Sequence, residues 1–343
     1  MSRQAPLRTK TDPDRWRLGT CVPAGLLDCD GYLSRHQKRL ARLSLVTDGT
    51  CPHAQHGLEG LSALNCLTAL EWEGLQHPAE VESLRQCIRR NQPSLNELAV
   101  GFVPSAVARD LRWESLGIRP SISGSCAEGD CDPIGTTVAP TLHTLSLSKI
   151  SLPPTLSTSG SSVFCSLQSL TLRDCPNQLR LLRSLSRTSP IQLDYFEICV
   201  DFLLDKPGEE YDSAAVVLFL RSFRGLRHLH LKLSNFPASE PRMQDAIRHH
   251  RPTLESLIYH ERQLMPIDDD GFFEDDRDIS PGWIASIPDV VDLRQITALA
   301  LCVRPPAAVR YRAPTRGLAL MVTATGSPAH RNGLPNPATT STI

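Results

Sequence analysis

His228 and His230 stand on either side of Leu229, a spacing that on a strand sends both imidazoles to one side. Two imidazoles can begin a metal site, but a bound ion needs further ligands beside them. Tyr195, Glu197 and His260 are the side chains that adjacent segments could bring. The other chemical patterns fail on spacing. Asp268, Asp269, Asp270 and Gly271 resemble part of a calcium loop, but with Gly271 at position six, position one is Pro266 and position twelve is Arg277. Neither is the carboxylate that the loop requires. A zinc-protease pattern opens at His260-Glu261 and stops at Leu264, where the second His belongs. His249 and His250 fall at the end of a predicted helix, where imidazoles can meet terminal carbonyls.

The eleven cysteines include no C-x-x-C pair, and Cys126 with Cys131 lacks a second pair at zinc-finger spacing. Cys175 reads as a small buried thiol. No nucleophile elbow, phosphate loop or dinucleotide fingerprint is present. The expectation is a non-enzymatic chain with no catalytic, cofactor or metal residue. A metal-binding or enzymatic site on the His228/His230/His260 face is the last alternative.

What must position these side chains is a repeat. The hexamer L-x-x-L-x-L recurs nine times, opening at Leu40, Leu67, Leu95, Leu142, Leu167, Leu193, Leu226, Leu254 and Ile296. Five of the eight steps between them are 25 to 28 residues, inside the leucine-rich-repeat period. Between hexamers, Pro78 to Asn91, Leu179 to Ser186, Ser213 to Phe223 and Ser239 to His249 carry apolar residues at helical spacing. Asn91-Gln-Pro93, Thr188-Ser-Pro190 and His250-Arg-Pro252 separate a helix from the next strand, as proline requires. The predicted fold class is α/β: a leucine-rich-repeat solenoid, or horseshoe, with a parallel concave sheet and convex helices.

Three regions follow. Residues 1–35 are an irregular, basic N-terminal segment. Residues 36–304 are the array, with insertions near 121–138 and 265–281, the latter an acidic loop. Residues 305–343 hold six Pro and no Asp or Glu, and predict a disordered tail.

Across all 343 residues, 36 Lys+Arg balance 37 Asp+Glu, which argues against a general polyanion binder. No run of about 18 apolar residues exists to span a bilayer, and the first twenty residues lack a secretory core. An intracellular protein that binds neither nucleic acid nor membrane is expected, in the cytoplasm or nucleus.

Repeat arrays bind through their continuous sheet face. The residues between the leucines point there, acidic at first, then hydroxyl-rich, then mixed. Arg173, Tyr195, Glu197, His228, His230 and His260 are the predicted centre of a protein-binding site, since Arg, Tyr and His supply much of interface energy.

The stretch from Leu142 to Val303 resembles the repeat region of fungal F-box-type proteins. LQSLTLRDCPN (167–177), FLRSFRGLRHLHL (219–231), TLESLIYHER (253–262) and ALALCV (298–303) carry the likeness. In that family an N-terminal F-box docks on a Skp-type adaptor of a cullin ubiquitin ligase, and the repeats hold a protein substrate. Residues 1–45 lack the Leu-Pro start and Leu/Ile-rich helices of an F-box. The resemblance implies a substrate receptor; a stand-alone scaffold without a ubiquitin link is the alternative.

Overall fold

The computed structural model describes residues 15–18, 23–47, 58–103, 112–116, 118, 142–153, 163–188, 191–200, 213–234, 241–267, 271–275, 281–303 and 319–324. Each hexamer becomes a strand that begins two residues after its first apolar position. They are β2 (Arg42–Val46), β3 (Ala69–Leu75), β4 (Glu97–Phe102), β5 (Thr144–Ser148), β6 (Ser169–Arg173), β7 (Tyr195–Val200), β8 (His228–Ser234), β9 (Ser256–Ile267) and β11 (Ala298–Val303). All nine are parallel, and each pairs with the next in chain order, so the sheet is open. Equivalent positions fall opposite one another at every step: Leu43 faces Leu70, then Leu98, Leu145, Leu170 and Phe196. A slip of one residue would turn every leucine out of the core. The repeat therefore sets the register.

The inward positions are almost fully buried, among them Leu45, Trp72, Leu147, Ile198, Leu231 and Tyr259. The helices supply the rest of that core. In α3 (Pro78–Asn91), Val81, Leu84, Cys87 and Ile88 join the strand leucines in one cluster. Glu80 closes the start of α3 by accepting from the backbone N–H of Gln76 and His77 at 2.8 and 3.0 Å. The other long helices are α4 (Gln178–Thr188), α5 (Ser213–Arg221), α6 (Pro241–Arg248) and α7 (Pro281–Val290). Each of these packs on the next. This is an α/β array of solenoid-like kind.

Polar side chains tie successive repeats together. Ser94, Ser166 and Thr253 each immediately precede the first leucine of a hexamer. Their hydroxyls donate to the carbonyls of Leu67, Leu142 and Leu226, the first leucines of the preceding repeats, at 2.8–2.9 Å. Asn91, 1% exposed, accepts from Leu67 N–H and donates to the carbonyls of Leu64 and Cys87. Burial without these bonds would cost the amide about 1–3 kcal/mol. His250 does not cap its own helix. Its Nε2 donates to the carbonyl of Leu220 in α5, 2.8 Å away, because the ring turns inwards between the two helices.

The ends and the acidic insertion carry further elements. Within residues 1–35, β1 (Arg15–Leu18) pairs with β2, and the short helices α1 (Ala24–Leu27) and α2 (Tyr32–His36) bury Leu27 and Leu33 in the common core. Within the Pro-rich tail, β12 (Ala319–Ala324) pairs with β11 over six residues. An open parallel edge recruits any extended segment through its backbone groups, and ALMVTA is the β-prone run in that tail. The far end of β9 turns back into β10 (Gly271–Asp275), antiparallel. The insertion at 121–138, with Cys126 and Cys131, lies outside the described residues.

Candidate functional site

The positions between the leucines form three rows across the sheet. The middle row runs Ser44, Glu71, Ala99, Ser146, Thr171, Glu197, His230, Ile258, Ala300. One flanking row contains Arg42, Ala69, Glu97, Thr144, Ser169, Tyr195, His228 and Ser256. The other contains Glu73, Gly101, Ser148, Arg173, Cys199, Lys232 and His260. Most of these residues are half-buried. A strand face that carries hydroxyls, acids and imidazoles in register is a polar surface, unlike the leucine face behind it.

Four of the six expected residues meet. Glu197 sits at the middle, and its carboxylate is covered rather than presented, with the side chain 4% exposed. Tyr195 reaches it along the same strand, its hydroxyl donating to Oε2 at 2.6 Å. Arg173 reaches it diagonally from β6, Nε donating to Oε1 at 2.8 Å. His230, its direct neighbour on β8, brings Nδ1 to 3.4 Å from the same oxygen. Alternation alone places Glu197 on the open face. Its burial comes from three longer neighbours that close over it.

The electrostatics follow from this packing. Burial would raise the Glu197 pKa, but hydrogen bonds from His230, Arg173 and Tyr195 outweigh it and hold the carboxyl well below the usual range. The same bond raises the Arg173 pKa. Burial, with the adjacent Glu197 charge, raises the Tyr195 hydroxyl well above its ordinary value. Burial first, and then Glu197, pushes the Cys199 thiol up to about 12. At neutral pH the cluster is a carboxylate held by an arginine and a phenol. Neither Tyr195 nor Cys199 is activated as a nucleophile.

The remaining two expected residues stand apart. His228 lies beside the Tyr195 ring, centroids 6.2 Å apart. His260 pairs with Lys232, one step further along the strands than the Glu197–His230 pair. Among the described residues, no group of three or more His, Cys, Asp or Glu side chains is placed to hold a metal ion. Cys175 is buried, its thiol donating to the carbonyl of Leu147 on the preceding strand, with its pKa pushed up to about 12 by burial.

A feature not singled out in the sequence lies at the other end of the face. Ala69 and Ala99 leave a shallow depression of about 190 Å³ between β2, β3 and β4. Across Ala69, Arg42 Nη2 reaches Glu97 Oε1 at 2.6 Å. One row over, the Glu73 carboxylate lies against Gly101. A Cβ on Gly101 would fall 2.6 Å from Glu73 Oε2. The signal available in the sequence was small residues at three outward positions, Ala69, Ala99 and Gly101, on adjacent repeats.

Compared with protein-family models, with curated proteins and with solved structures, the chain matches none. Among the described residues no helix is long and apolar enough to cross a membrane.

Proposed function

We propose that this chain is a leucine-rich-repeat solenoid and a non-enzymatic protein-binding module. The observation that carries this reading is the polar face of nine parallel strands, whose rows stay in register from Arg42 to Ala298. A face of that length presents side chains at fixed spacings of about 4.8 Å between strands, which suits an extended macromolecular partner. The Glu197 cluster serves it as a rigid support. It fixes the Tyr195 and Arg173 side chains before a partner arrives, so less rotamer entropy is lost on binding.

The resemblance to fungal F-box proteins adds a context, in which the partner is a substrate presented to a ubiquitin ligase. α1 and α2 have four and five residues, and they bury Leu27 and Leu33 in the repeat core. They act as the first layer of the array. The receptor role therefore rests on the repeats.

Affinity purification of the full chain with mass spectrometry tests both levels. The control is a Ser148→Lys/Ser169→Lys variant, which changes half-exposed hydroxyls at the middle of the face. The variant is expected to lose the partners that the wild-type chain recovers. Unchanged recovery would remove the sheet-face reading. A Skp-type adaptor and a cullin among the recovered proteins would support the receptor role. Their absence, with other partners retained, would favour a stand-alone scaffold.

A further inference from the structure

The residues expected to form the binding centre satisfy one another, since Glu197 already accepts from Tyr195 and Arg173. Unspent polar capacity lies instead at the depression over β2, β3 and β4. Ser44, 3% exposed, lines it, and its hydroxyl has no hydrogen-bond partner among the described residues. A buried polar group without a partner is costly and uncommon. Glu71 lines the same depression and forms no ion pair among the described residues. Arg42 cannot neutralise it at short range, being committed to Glu97 at 2.6 Å. The local balance is two carboxylates to one guanidinium, which selects a cation. The walls at Ala69 and Ala99 are methyl groups, which suit an aliphatic stem.

Size narrows the occupant. About 190 Å³ is below the roughly 300–1,000 Å³ of a small-molecule site. It matches one long side chain entering from an open face. A single carboxylate beside a hydroxyl suits a compact ammonium better than a planar guanidinium, which prefers paired acceptors.

We propose that the depression is a specificity pocket for a lysine side chain of the protein partner. The lysine stem lies between Ala69 and Ala99, its ammonium donates to Glu71, and the Ser44 hydroxyl gains a partner. The proposal rests on the protein-binding reading of the face and adds the chemistry of the residue that is recognised.

The test uses the full chain with alanine methyl groups labelled for NMR, which places reporters at Ala69 and Ala99. The probes are Ac-Gly-Lys-Gly-NH2 and the same peptide with norleucine, which keeps the stem and removes the charge. The lysine peptide is expected to shift the Ala69 and Ala99 methyls, and the norleucine peptide to leave them in place. Glu71→Gln should weaken the lysine peptide about tenfold, the scale of one lost charge-assisted hydrogen bond. The other alanine methyls report whether that variant stays folded. Ser44→Ala is a second variant, expected to weaken the peptide in the same direction. Unmoved methyls, equal shifts from norleucine, or full affinity in both variants would overturn the pocket. Unmoved methyls with the Ser148/Ser169 effect on partner capture intact would remove only the pocket. Unchanged capture in that variant would instead remove the underlying reading.

Discussion

His250 makes acid sensitivity a test of the fold. It is 1% exposed, its ring tilted against Phe223 at 5.0 Å between centroids and edge-on to His249 at 5.3 Å, with Nε2 bonded to the Leu220 carbonyl. Its Nδ1 has no partner among the described residues. A second proton would therefore place an unpaired charge in the core. Burial pushes its pKa down from the ordinary imidazole value of 6.5 to about 4.

The sign follows from which state binds the proton first. As pH falls below 6.5 the unfolded chain protonates and the folded chain does not, so stability falls with pH. The loss continues until the folded form also protonates near pH 4. At about 1.4 kcal/mol for each pH unit, the whole window amounts to roughly 3.5 kcal/mol, of which roughly 2.5 kcal/mol falls between pH 7.5 and 4.5. That is a large fraction of a typical domain's stability of about 5–15 kcal/mol. The assay is urea unfolding at both pH values for the wild-type chain and for His250→Gln. Gln can still donate to Leu220 but does not titrate. The variant's loss between the two pH values should be smaller by about 2.5 kcal/mol, since titrating groups distant from His250 cancel in the comparison. Equal losses in the two proteins would refute the account of a buried neutral imidazole.

Two other substitutions probe the site and the turns. Glu197→Ala leaves the Tyr195 hydroxyl and the Arg173 guanidinium without their acceptor, and should lower stability at pH 7 by about 2 kcal/mol in urea unfolding. The Glu197 pKa is depressed, so its contribution is present above the ordinary carboxyl value of 4.5 and fades as pH falls below it. Gly74→Ala and Gly225→Ala share a left-handed backbone, with φ of +88° and +94°. A Cβ at Gly74 would fall 1.5 Å from the Thr47 carbonyl oxygen, while one at Gly225 meets nothing within 4 Å. Gly225→Ala should cost about 1 kcal/mol, the backbone penalty alone. Gly74→Ala should cost upwards of about 3 kcal/mol or prevent folding. Similar thermal midpoints for the two would contradict the close approach at Thr47.

Much of the architecture was legible because burial and hydrogen bonding both repeat with the hexamer. Eight first leucines and Ile296 predicted nine strands, and each begins two residues downstream. Pro78 to Asn91 was predicted as a helix with the bounds it has, since Pro78 opens it and Pro93 stops its continuation. Side chains alternate on a strand, so the sequence also determined that Tyr195, Glu197, His228 and His230 share a face.

Alternation states a direction and not a depth, and depth was decided only by the tertiary structure. Glu197 points to the open face and is nevertheless buried, because Arg173 arrives from the preceding strand and His230 from the next. Those neighbours are 24 and 33 residues away in the chain, and only the register makes them adjacent. His260 faces the same way and lies outside the cluster, one pair further along. Likewise Ala69 and Ala99 are unremarkable small residues in sequence and become a depression only when their strands pair. The edge strands β1 and β12 have the same origin. Their own residues carry no hexamer, and the unpaired backbone of the neighbouring strand is what recruits them. The sequence by itself determined which residues are inside the leucine core, because that follows from local periodicity. Which polar residues meet was decided by contacts between repeats, which no local pattern encodes.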